Sequence, residues 1–279
     1  MLLVDAGLSA KQLTLRMGAV DAIPDGLDGI LLTHEHGDHT RGLDVFLRSR
    51  KVPVYCNVRT AEVLRRNMAS DVEWRVFESG DRFQIGDFGI QTFYVPHDAV
   101  EPVGFVIRRQ NASFGVVSDI GHATTLVQDH LRGVDSLYVE ANYDEAMLQN
   151  DTKRPWSTKQ RISSRHGHLS NTQTAELVAS IASPRLHHVV LAHLSRDCNH
   201  PDVAKKAVTE RLLQAGLDEV TVLCAEQDEV MTFLPVEREP ASTRQLREKP
   251  LTPNLLPRRA TAPSAGVAWS ATQETLFEF

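Results

Sequence analysis

The segment Thr33-His34-Glu35-His36-Gly37-Asp38-His39 constrains this chain more than any other, because it sets four metal-ligating side chains within six positions. It follows Asp28-Gly29-Ile30-Leu31-Leu32, an apolar stretch that reads as a buried strand. On an extended backbone alternate residues share a side, so His34 and His36 project together and can hold one ion. Gly37 is expected to permit a sharp turn. Asp38 and His39 then fall where the next helix starts, facing a second ion beside the first. Imidazole nitrogen and carboxylate oxygen suit zinc, and also manganese or iron.

The chain must therefore fold around a rigid strand end, and it has the material to do so. Its 279 residues are 42% hydrophobic, enough for one large domain or two small ones. It has no run of eighteen apolar residues, which argues against a membrane span. Met1-Leu2-Leu3-Val4-Asp5-Ala6-Gly7 lacks a basic start and reaches an acid at once, unlike a signal peptide. Cys56, Cys198 and Cys224 are odd in number and scattered, which predicts a reducing cytoplasm rather than a disulfide framework. Cys198 lies near His193 in sequence and is read as a structural neighbour, not a ligand. A net charge of −6 gives no global attraction to nucleic acid, so any such binding must be local.

Short apolar runs alternate with helical patterns. Strands are predicted over 2–4, 30–32, 52–56, 74–77, 88–95, 104–107, 114–117, 136–139, 188–191, 220–223 and 230–234. Helices are predicted near 9–18, 39–50, 58–69, 123–132, 171–182 and 202–215, the fifth with a good capping residue at Asn171. This mixture implies sheets covered by helices, an α/β or α+β sandwich occupying residues 1–235. From residue 236 to 279 the pattern fails. Pro240, Pro250, Pro253, Pro257 and Pro263, with several arginines and no periodicity, predict a disordered tail. Its tip, Gln273-Glu274-Thr275-Leu276-Phe277-Glu278-Phe279, is apolar and has the form of a docking peptide.

Three more candidate ligands sit at the ends of apolar runs. His97 follows Val95-Pro96, Asp119 ends Phe114-Gly115-Val116-Val117-Ser118-Asp119, and His193 ends Val189-Val190-Leu191-Ala192-His193. From separate strands they can converge at one sheet edge.

With these residues the chain resembles the metallo-β-lactamase superfamily, whose signature is HxHxDH followed by distant His, Asp and His. The resemblance covers nearly all of residues 1–234 and implies a four-layer αββα sandwich. It implies that His34, His36 and His97 hold one divalent ion, zinc or manganese, and that Asp38, His39 and His193 hold another, with Asp119 bridging. A hydroxide held between two such ions is a nucleophile at neutral pH, and Asp38 would orient it. Three further segments point to a branch. Val139-Glu140-Ala141-Asn142 resembles the HEAT-type segment of the tRNA 3′-processing endonucleases. His166-Gly167-His168-Leu169-Ser170-Asn171 and His193-Leu194-Ser195-Arg196-Asp197-Cys198-Asn199 match more closely the HGHLSN and HLSxxCN of the YycJ/WalJ exonucleases. That likeness implies a phosphodiesterase acting on DNA, in which His168 protonates the leaving oxygen and Glu140 orients it. His166 and His122 are read as supporting or surface residues. Members usually carry a further strand and a Ser-Gly-Ser turn before the segment matching Leu2–Gly7, where this chain begins. The expectation is a complete ligand set on a less stable fold.

Between Thr152 and His168 stand Lys153, Arg154, Lys159, Arg161 and Arg165, with no acid among them and Trp156 interleaved. A basic loop of this kind can grip a phosphate backbone while the indole stacks on a base. A solvated surface loop is the competing reading. Two rival functions remain, hydrolysis of a small ester, lactone or thioester, and metal-dependent regulation without turnover. The first gives no role to Glu140, His168 or the basic loop; the second predicts a lost ligand, and none is lost. Gln273, Leu276 and Phe277 resemble the QxxLF peptide by which bacterial replication and repair enzymes dock on the sliding clamp.

Overall fold

Strands that are apolar at successive positions must bury both faces, and here each face has its own covering layer. The computed structural model describes residues 1–231, 234 and 236. Four parallel strands, β1 (Leu2–Val4), β2 (Gly29–Leu31), β3 (Val54–Asn57) and β4 (Trp74–Phe77), form one sheet in that order. The second sheet has seven strands: β5 (Arg82–Ile85), β6 (Phe88–Tyr94), β7 (Val103–Arg109), β8 (Ala112–Val117), β9 (Ser136–Glu140), β10 (His188–Ala192) and β11 (Thr221–Cys224). They too lie side by side in chain order, antiparallel from β5 to β8 and parallel from β8 to β11.

The period of two decides what faces what. Leu2 and Leu31 point at the second sheet and pack with Phe88, Ile90, Phe105 and Phe114. Leu3 and Ile30 point the other way, onto α1 (Ala10–Ala19), α3 (Leu43–Leu47) and α4 (Val58–Asn67), through Leu13, Phe46 and Leu64. On the far side of the second sheet, Val117, Leu137, Val139 and Leu191 pack under α5 (Thr125–Leu131), α8 (Asn171–Ile181) and α9 (Pro201–Gln214). The result is the expected αββα sandwich. Phe105 is fully buried between the sheets, and truncating it to Ala would cost about 3–5 kcal/mol in lost transfer energy and cavity. The start of α8 is fixed by a capping box between Ser170 and Gln173.

Several elements depart from the sequence reading. The single helix expected at 39–50 is two, α2 (Gly37–Thr40) and α3, separated where the Gly42 backbone is pressed against Leu8; a Cβ there would meet Leu8 O at 1.9 Å. Gly37 makes no special turn. It is an ordinary helical residue with open space around its Cα, so another residue would fit. No strand forms at 230–234 among the described residues; Met231 and Leu234 instead pack on Val190, Ala192 and Ala225. The strand β5 and the helices α6 (Glu145–Asn150) and α7 (Trp156–Ile162) were not anticipated, and α7 makes part of the basic segment helical rather than a loop. No helix among the described residues is long and apolar enough to cross a membrane. Gln273, Leu276 and Phe277 lie outside the described residues.

Candidate metal centre

Both sheets deliver candidate ligands from the C-terminal ends of their strands. The first sheet supplies His34 and His36 after β2, then Asp38 and His39 on α2. The second supplies His97 after β6, Asp119 after β8 and His193 after β10. The structure brings all seven together in two groups, His34, His36, His97 and Asp119, and Asp38, His39, Asp119 and His193. Within each group the ligand atoms lie inside 4.8 Å of one another. Asp119 is shared: its Oδ2 is 3.7 Å from His34 Nε2, 3.3 Å from His39 Nε2 and 3.6 Å from His97 Nε2. Asp38 Oδ2 is 3.7 Å from Nε2 of both His39 and His193.

Holding these groups at one point strains the backbone. Asp119 and His193 have φ of 50° and 59°, the left-handed region, and so does Asp5, at 59°, just past β1. Such positions cost of order 1–3 kcal/mol each, least for aspartate, and persist only where the surroundings impose them. Gly7 shows how tightly β1 is pressed on the site. A Cβ on Gly7 would lie 1.5 Å from Asp38 O, so only glycine lets Ala6 N donate to His39 O at 2.7 Å.

The second nitrogen of each imidazole decides whether the first can bind a cation. His39 Nδ1 donates to Asp5 Oδ2 at 2.7 Å, His97 Nδ1 to Gly167 O at 3.0 Å, and His193 Nδ1 to Glu140 Oε2 at 2.9 Å. His34 Nδ1 lies 3.0 Å from the hydroxyl of Thr33, which itself donates to Asp5 Oδ2. A proton held at Nδ1 leaves a lone pair at Nε2. Nε2 of His34, His39, His97 and His193 is in every case buried without a hydrogen-bond partner. Four orphaned acceptors around one carboxylate, two in each group, fit divalent cations, which would satisfy them. Burial pushes His34 and His97 below the usual imidazole range. At His39 burial acts the same way, but the carboxylates of Asp119, Asp5 and Asp38 outweigh it and raise the group. Asp119 resists burial through the imidazoles of His193, His39 and His34, and ends well below the carboxylate range.

Glu140, fully buried at the end of β9, links this centre to His168. Its Oε2 accepts from Nδ1 of both His168 (3.0 Å) and His193 (2.9 Å), while Oε1 accepts from Leu169 N and Ile120 N. Burial lowers the affinity of His168 for its proton, but the adjacent Glu140 charge and hydrogen bond raise it further, to about 9. Asn142 donates to His193 O at 3.0 Å. His166 is exposed and His122 half-buried, its Nδ1 donating to Arg165 O. Cys198 sits away from the ligands, in an apolar cluster with Tyr143, Leu148 and Ile162.

The basic segment proves to be largely ion-paired, with acids drawn from elsewhere in the chain. Lys153 and Arg154 pair with Asp197, and Arg154 also with Asp151. Lys159 donates to the carbonyls of Gln149 and Asp151, and Arg165 to His122 Nε2. Arg161 pairs with Asp98, whose other oxygen is 3.2 Å from His97 Nε2, so this arginine reaches the rim of the centre. Trp156 is 67% exposed. Sequence reasoning missed Asp5, Thr33 and Asp98. Asp5 carried the same signal as Asp119, an acid just past an apolar run.

A cradle of buried imidazoles and carboxylates at the joined strand ends of an αββα sandwich defines a metal-dependent hydrolase. Residues 1–194 match the family described as Beta-lactamase superfamily domain. Exodeoxyribonuclease YycJ of Bacillus anthracis is 35% identical over 218 residues, 77% of this chain and 82% of the relative. Exodeoxyribonuclease WalJ of Streptococcus pneumoniae is 34% identical over 220 residues, 77% and 81%. Among solved structures, the metallo-beta-lactamase fold protein YhfI of Bacillus subtilis superposes with a TM-score of 0.59 at 19% identity, covering 81% of this chain and 83% of its own. The chain belongs to the beta-lactamase superfamily and, within it, to the family of the YycJ and WalJ exonucleases.

Proposed function

We propose that residues 1–235 form the catalytic domain of a cytoplasmic DNA exonuclease that works with two divalent cations, zinc or manganese. The observation that carries this reading is the Glu140–His168 pair set against the seven-ligand cradle. One ion would be held by His34, His36 and His97, the other by Asp38, His39 and His193, with Asp119 shared. Two bound dications supply a water-derived nucleophile at neutral pH and offset the charge of the phosphate. Asp38 orients the nucleophile. His168, kept protonated by Glu140, passes its proton from Nε2 to the departing sugar oxygen, a poor leaving group unless protonated. Hydrolysis of a small ester or thioester needs no such acid, and this favours the phosphodiester reading.

Arg161, Arg165 and Trp156 are the residues of the basic segment best placed for a strand entering the centre. Lys153, Arg154 and Lys159 are engaged by acids and carbonyls of the chain, as Arg161 is by Asp98, but Arg161 lies beside the candidate ligand His97 through that carboxylate. The test is incubation of end-labelled single- and double-stranded DNA and RNA with protein stripped of metal and reloaded with zinc or manganese. Stepwise release of mononucleotides from DNA, abolished by chelation, is expected. Intact DNA alongside hydrolysis of small esters would overturn the reading. The tail peptide containing Gln273, Leu276 and Phe277 would dock the enzyme on a bacterial sliding clamp, raising the local DNA concentration. A clamp titration with a Leu276→Ala, Phe277→Ala variant checks this, and equal affinity for both chains removes it.

A further inference from the structure

A second cationic site lies on the outer face of the seven-stranded sheet, remote from the ligands. The ladder puts Arg82 directly opposite Gln91, and Gly89 opposite Arg108, so these four share one face across β5, β6 and β7. They line an open hollow of about 580 Å³, together with Gln84. Gly89 leaves the space: a Cβ there would meet nothing closer than Arg108 O at 3.9 Å. Arg108 is held in place, donating from Nη1 to Gln91 Oε1 at 3.0 Å. The Gln91 amide is fixed in turn by His130 Nδ1 at 2.9 Å, and the His130 ring stacks on Phe93 with centroids 5.0 Å apart.

No carboxylate pairs with Arg82 or Arg108 among the described residues, whereas Arg48, Arg75, Arg185 and Arg211 each pair with an acid. The acid facing His130 from its own helix, Asp129, lies 3.9 Å from Arg132. Two like charges held side by side over a preformed hollow repel each other; Arg108 is held below the usual guanidinium range first by desolvation and then by the charge of Arg82. An anion between them removes that repulsion, and a phosphate oxygen matches the guanidinium fork.

We propose that this hollow is a second phosphate-binding station, which grips the backbone of the nucleic-acid strand whose end lies at the metal centre. The inference rests on the nuclease reading. β6 connects the two sites, since Gln91 lies six residues before His97, about 20 Å of extended chain. A stacked strand spaces its phosphates by about 3.4 Å, so at least about six nucleotides separate the station from the scissile bond, and more where the strand passes around α5, which covers Phe93 and Val95. Strands shorter than that cannot reach it.

The experiment compares the metal-loaded wild type with an Arg82→Ala, Arg108→Ala variant and a Gly89→Leu variant that fills the hollow and keeps its charge. Single-stranded DNA of four, eight, twelve and twenty nucleotides serves both cleavage kinetics and fluorescence-anisotropy binding. For the twenty-mer, both variants should raise KM and Kd roughly tenfold with kcat unchanged, and the double variant should lower the salt slope by about 1.4, for two lost phosphate contacts at ~0.7 each. On the four-mer all three proteins should behave alike. An equal loss on four-mer and twenty-mer, or no loss on the twenty-mer, overturns the station. A wild type that binds the twenty-mer through these arginines but cleaves no strand overturns the nuclease reading and keeps the station.

Discussion

An imidazole has one proton to place when neutral, and at His34, His39, His97 and His193 a named partner decides the placement. Asp5 makes the decision for His39 and, through Thr33, for His34. Asp5→Ala should therefore weaken metal binding by about 10–100-fold without removing a ligand, and Asp5→Asn should weaken it less. A metal titration with a chromophoric chelator reads both; unchanged affinity in Asp5→Ala would deny the carboxylate that role. In the proposed mechanism His168 has the opposite task, to keep its proton until it is needed. His168→Ala should retain metal and lose about 10²–10⁴-fold in kcat on a phosphodiester, with a smaller loss on a nitrophenyl ester. Equal losses on both substrates would mean a structural role. The sign of the pH dependence follows from the raised group. An acid that must be protonated works below its pKa, so activity falls as pH rises toward about 9, and earlier once nearby dications repel the proton. Glu140→Gln should move that alkaline limb downward.

At the scale of elements, α3 is tied to the chain after α4 by one carboxylate. Asp44 Oδ1 accepts from Ala69 N and Ser70 N, and Oδ2 accepts from Arg48 at 2.8 Å. The Arg48 hydrogen bond, with those from the backbone, brings Asp44 down to about 2. A depressed carboxylate stabilises the fold above its unfolded pKa, near 4, and ceases to do so as pH falls toward 2. Asp44→Ala should cost about 1–2 kcal/mol at neutral pH in urea unfolding, and the gap between variant and wild type should narrow below pH 3. A gap that does not depend on pH would show that the charge is irrelevant. Elements also show where sequence is legible. Most strands declared themselves through apolar runs, and the ligands through histidine or aspartate just past those runs. The helix α7 did not, because Pro155 at its N-cap offers no capping side chain and Ile162 is its one buried residue. The pairing of the basic segment was hidden for another reason: Arg161 meets Asp98, and Lys153 meets Asp197, across 63 and 44 residues of chain.

In the molecule as a whole, the candidate ligands come from both sheets, so a bound cation would staple the sandwich together. Stripping the metal should lower stability by about 4 kcal/mol for a cation present at a thousand times its Kd. At ~2–4 °C per kcal/mol for a domain of this size, the melting temperature should fall by roughly 8–16 °C and recover on adding zinc or manganese. Identical melting curves with and without chelator would mean that the folded chain binds no cation. The contact between Gly7 and Asp38 carries a lesson for anyone surveying relatives for working enzymes. A chain can keep every histidine and aspartate of the cradle and still be inert, if a side chain at the Gly7 position pushes the Asp38–His39 backbone outward. Gly7→Ala, which leaves every ligand in place, should make such a decoy of this protein, so a roll of ligands is an incomplete test for a living catalyst.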